Sequence, residues 1–114
     1  MINQRILVKP VNGSTLFEQH HGQDMIIVYR PKTDQHGQFI LESNGGALFE
    51  RVGGVKSGST GTMIGPSVRG NRVQFVEYKD MPAPLGTDLI NVYPVQLDQY
   101  QGTAWLLGDA LKII

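Results

Sequence analysis

The sequence contains no cysteine. A disulfide framework and thiolate catalysis are therefore both excluded. It has no surplus of charge of either sign, since ten basic residues are balanced by ten acidic ones. An electrostatic footprint for nucleic acid or anionic lipid is missing with it. Long hydrophobic runs are lacking as well. The run Met25-Ile26-Ile27-Val28-Tyr29 has the length of a strand and falls far short of a membrane span. Between Arg5 and Lys9 only Ile6-Leu7-Val8 is apolar, too little for a signal-peptide core. Apolar residues at helical spacing do not continue beyond about two turns anywhere. These absences point away from a helical, secreted or membrane-spanning product. They lead us to expect the virion or the cytoplasm of a host cell.

What is present is turn chemistry. The chain has 114 residues, fourteen of them glycine and six proline, distributed along its whole length. A chain of this size forms one domain, here 1–114, and can bury a core without metals or disulfides. Turn signals about every ten residues predict an all-β fold. The expected architecture is a small β-barrel or sandwich with a protruding hairpin and long glycine-rich loops.

The stretch from Gly70 to Tyr78 reads as a central strand. Val73 and Phe75 share one face, and the other face turns apolar at Val76 and Tyr78. Arg5 to Lys9 reads as a first strand stopped by Pro10, with Asn12-Gly13 as a turn. Met25 to Tyr29, ended by Pro31, and Gln38 to Glu42 are expected to form a hairpin with a long exposed tip. Ala47 to Val52 is a strand or a sticky loop, and Gly53 to Gly61 reads as a flexible loop. Thr62 to Ile64 is a short strand. Asp80 to Gly86 is a loop, and Pro94 assigns the strand Asp88 to Tyr93 to an edge or a bend. Thr103 to Leu107 is a late strand, and Asp109 to Ile114 is a short turn or helix leading into an apolar pair.

Chemistry-bearing patterns are few. Gly54-Val55-Lys56-Ser57-Gly58 lacks the glycine before lysine that a phosphate loop needs. His20 and His21 point opposite ways on an extended chain, so they do not share a metal easily, and His36 stands apart. Acidic residues are scattered, and no nucleophile elbow occurs. No catalytic residue, metal site or cofactor is expected. Trp105 and the tyrosines could stack on a sugar, although aromatics in small β-domains more often fill the core.

Several segments resemble the GroES-type co-chaperonins. Gln4 to Pro10 is similar to their first strand, and Gly45-Gly46-Ala47-Leu48-Phe49 to their mobile loop. Gly70 to Tyr78 and the ending Asp109 to Ile114 are similar to later parts of that family. The Met25 to Leu41 hairpin is additional to the family pattern, and Met81 to Gly102 is long. The resemblance implies that Ala47, Leu48 and Phe49 contact a chaperonin rim. It also implies that the end strands, with Arg5, Ile6, Leu7 and Val8 at one end and Leu111, Ile113 and Ile114 at the other, pair between subunits of a ring.

The leading expectation is a non-enzymatic assembly protein, set in a bacteriophage virion as a capsid decoration or cement protein or a small head–tail or tail component. Its partners would be copies of itself and a larger protein assembly, without nucleic acid or membrane. Net neutrality gives little protection against self-association, which suits a subunit. A GroES-like ring and a carbohydrate-binding module are the alternatives. The residues expected to make the contacts are the same Ala47–Phe49, Arg5–Val8, Leu111, Ile113 and Ile114.

Overall fold

A computed structural model describes residues 3–9, 17–20, 23–71, 75 and 89–114. Among these, nine strands form one curled antiparallel sheet, a half-barrel. They are β1 (Arg5–Val8), β2 (Phe17–His20), β3 (Gln23–Pro31), β4 (Phe49–Lys56), β5 (Thr60–Met63), β6 (Val68–Asn71), β7 (Leu89–Leu97), β8 (Ala104–Leu107) and β9 (Leu111–Ile113). A 3₁₀ turn, Gly108–Ala110, joins β8 to β9. The all-β expectation holds.

The sheet runs β3-β8-β7-β5-β1-β9, with β4 on the far side of β3. β2 shares one side of β3 with β8, and β6 shares one side of β7 with β5. The continuous apolar run in β3 follows from burial on both faces. Ile26 and Val28 enter one core cluster, with Ile6, Val8, Met63, Val95 and Leu106. Ile27 and Tyr29 enter a second, with Ala47, Phe49, Phe75, Val92 and Leu107. Each fully buried aliphatic side chain contributes roughly 1.5–3 kcal/mol.

The structure corrects several expectations. β3 pairs along its length with β4, from Met25↔Lys56 to Pro31↔Phe49, rather than with Gln38–Glu42. The latter makes only isolated bridges, Thr33↔Phe39 and Leu41↔Ala47, inside a wide excursion between β3 and β4. Its backbone is used on both sides there, because Ile40 N–H donates to Lys32 and Leu48 N–H donates to Ile40. Five residues so engaged cannot also cover a nine-residue strand. Pro31 does end β3, as its place in the sequence predicts. It sits at the last rung, where a missing N–H costs least.

Gly53 to Gly61 is mostly strand rather than flexible loop. Gly53 to Lys56 continue β4, and Thr60 opens β5. Local composition favoured freedom, but the long partner β3 imposes extension. The register shifts between Val28 and Tyr29, which leaves Val52 as the extra residue of a bulge. Pro94 does not confine its strand to an edge, since β7 passes through it with β8 on one side and β5 and β6 on the other. Its carbonyl accepts from Ile64 N–H where the neighbour changes from β5 to β6, so the ring lies at a gap in the ladder.

The stretch from Gly70 to Tyr78, expected as a central strand, is described only in part. Gly70 and Asn71 belong to β6, which pairs with β7, and Phe75 is buried against Tyr29. Arg72–Gln74 and Val76–Tyr78 lie outside the described residues, as do Pro10, Asn12-Gly13, His21 and the Asp80 to Gly86 loop. Among the described strands the middle of the sheet is β7, with β8 on one side and β5 and β6 on the other.

Candidate functional site

Of the residues expected to make contacts, many are interior. Ile6 and Val8 are fully buried, and Leu7 is half-buried. Ala47 and Phe49 belong to the second core cluster, with Leu48 half-buried between them. The apolar tripeptide implied to project from a mobile loop is therefore packed instead. Ala47 is held by an N–H bond to Arg69 and a parallel bridge to Gly70. The end strands β1 and β9 pair with each other within one chain, Ile6↔Ile113 to Val8↔Leu111, where the resemblance implied pairing between subunits. β1 is covered on its other side by β5.

Arg5 remains at the surface. Its guanidinium donates to both oxygens of the Asp98 carboxylate, at 3.0 and 2.8 Å, and to Thr62 Oγ1 at 3.0 Å. Thr60 Oγ1 donates to the same carboxylate at 2.7 Å. These hydrogen bonds, Arg5 first, hold the Asp98 carboxyl well below the usual carboxylate range. The cluster fastens β1 to β5 and to the turn after β7.

The remaining expected residues form an open edge. Ile113 and Ile114 are 51% and 56% exposed, and Leu111 is half-buried. The ladder fixes where their backbone points. Lys9 N–H donates to Ala110 and Ile114 N–H to Arg5, whereas Val8 bonds Ser59 and Gly58 on its other side. Antiparallel alternation then turns the peptide groups of Leu111 and Ile113 away from β1. Leu111 N–H closes the 3₁₀ turn onto Gly108. Leu111 C=O and both peptide groups of Ile113 are left facing outward, with no partner among the described residues. Beside this edge is a cleft of about 480 Å³, lined by Met63, Ile90, Tyr93, Leu107, Leu111 and Ile113, with Asn91 and Asp109 among its polar residues.

A second cleft, of about 610 Å³, opens around Trp105 near the β3–β4 end of the sheet. The sequence singles out Trp105 but not its neighbours, which come from the ends of β3 and β4 and from the excursion. Arg30 and Glu50 face each other across β3 and β4 and form an ion pair. His36 is exposed on a turn capped by Asp34, whose Oδ1 accepts from the N–H groups of His36 and Gln38. Gly37 takes φ +77° there, a conformation that favours glycine. No group of three or more potential metal ligands occurs among the described residues, and no described helix is long and apolar enough to cross a membrane.

Comparison of the chain with family models, with curated proteins and with solved structures found no match.

Proposed function

We propose that the chain is a non-enzymatic structural subunit that joins other copies of itself in a larger protein assembly. The assembly we assign is a bacteriophage virion, with the chain as a capsid decoration protein or a small tail component. One observation carries the reading: β9 ends the sheet with outward-facing peptide groups, exposed isoleucines and a cleft of mixed polar and apolar lining alongside. An extended segment added there gains main-chain hydrogen bonds from the edge and places alternate side chains in the cleft. A short edge strand with a lysine is itself partly protected against unwanted pairing, so the reading rests on the isoleucines that follow that lysine. Here Lys112 is the charged residue of β9, and Ile113 and Ile114 are left uncovered.

Three residues bring few hydrogen bonds, so the free dimer is weak and forms as the concentration rises. A symmetric shell repeats it many times, and linked weak contacts gain strength through effective concentration. Mass spectrometry of purified particles from the source that encodes the chain tests the assignment. The reading predicts a fixed copy number per particle that survives repeated washing. A chain absent from washed particles contradicts it.

A further inference from the structure

The cleft around Trp105 combines an aromatic platform with polar side chains that have bonds to spare. The Phe39 ring meets the indole edge-on, with centroids 6.2 Å apart and planes at 88°, and Phe49 supports it at 6.1 Å. The indole N–H donates to no described residue. Arg30 Nε donates to Glu50 Oε1 at 2.8 Å, and a terminal guanidinium nitrogen bonds the same oxygen. That fixes the guanidinium plane and leaves its other N–H groups unspent. The Lys32 ammonium and the Thr33 hydroxyl, both exposed, bond to no described residue. The ionised lining sums to one positive charge, from Arg30 and Lys32 against Glu50.

We infer that this cleft binds an acidic saccharide. A sugar ring has a C–H face suited to an indole and a rim of hydroxyls that both donate and accept. Arg30, Glu50 and Thr33 supply the complementary groups, and a uronate carboxylate meets the Lys32 and Arg30 cations in charge-assisted bonds. A purely apolar ligand would strip water from these groups without replacing its bonds. A nucleic acid would need a basic surface that a chain of ten cations and ten anions does not provide. The volume lies within the usual range for small-ligand sites, roughly 300–1,000 Å³. Three strands, β7, β5 and β1, lie between the β8 strand of Trp105 and β9 in the sheet order, so this site and the assembly edge can fail separately.

Trp105 is the sole tryptophan, and its fluorescence therefore reports on this cleft alone. The full chain is titrated with hexagalacturonate and, separately, with neutral maltohexaose. The inference predicts a saturable emission change with the acidic hexamer and about tenfold or weaker binding of the neutral one. Lys32→Glu and Phe39→Ala should each weaken hexagalacturonate binding about tenfold while the thermal midpoint stays within a few degrees of wild type. No saturable change, equal binding of both hexamers, or wild-type binding by Lys32→Glu overturns it.

Discussion

Asn71 is only 2% exposed, and its amide is paired with Asn44 across the mouth of the excursion. Each amide donates to the other, and Asn44 Oδ1 also accepts Gly46 N–H at 3.0 Å. Asn44→Ala would leave a buried amide without its partner, which costs about 1–3 kcal/mol in chemical denaturation. Adding Asn71→Ala should then cost clearly less than it does in the wild type, because the two residues are coupled by about 0.5–3 kcal/mol. Asn44-Gly45-Gly46 was legible as a turn. Its partner, 27 positions away, was not. The Arg5–Asp98 pair spans 93 positions and was equally hidden. Because folding lowers the Asp98 pKa, the pair stabilises the fold above the unfolded carboxylate value of about 4. That contribution drains away as pH falls below it. Both side chains are nearly half exposed, so solvent screens the effect. Asp98→Asn should be less stable than wild type at neutral pH and should lose less stability on acidification, as followed by thermal midpoints across pH.

At the scale of elements, the strands that could be read were those with a clear apolar signature. β3 showed itself as an unbroken apolar run because both of its faces are covered. β1 and β8 were visible for similar reasons, whereas β9, with its isoleucines exposed, was read as a turn or helix leading into an apolar pair. β4 was obscured because Gly53 and Gly54 carry no side chain to announce a face. Gly61 was misread for the same reason. It was taken as a loop residue, but it lies in β5 against β7, where an added Cβ would come within 2.6 Å of Gln96 O and 2.8 Å of Leu97 Cα. Those are backbone atoms, and a side chain cannot push them aside locally. Gly61→Ala should therefore destabilise by roughly 1–3 kcal/mol, measured by urea denaturation. Gly53→Ala, with open space around its Cβ position, should fall within about 1 kcal/mol of wild type. The expected contact loop failed for a different reason. Leu48 and its neighbours have the composition of a sticky loop, and only tertiary packing shows that Ala47 and Phe49 are already satisfied.

For the molecule as a whole, all-β architecture was legible because turn residues and short apolar segments recur along the entire chain. The order of strands was not, since four of the pairings, β1 with β5, β1 with β9, β3 with β8 and β5 with β7, join strands that are not consecutive in the chain. The half-barrel that results leaves β9 at one end of the sheet, and the account turns on that edge joining another copy. The favoured arrangement places Ile113 opposite its symmetry mate, exchanging N–H and C=O bonds. A register two residues away would set Lys112 against Lys112 and be penalised by like charge. Ile113→Pro removes the outward N–H while sparing the bonds that hold β9 to β1. Sedimentation velocity over a concentration series, wild type beside Ile113→Pro, is the direct measurement. The account predicts that wild type grows in mass with concentration, whereas the variant stays at 12.6 kDa with its fold intact by circular dichroism. A wild-type chain that remains monomeric throughout, or a folded variant that associates equally well, would contradict it.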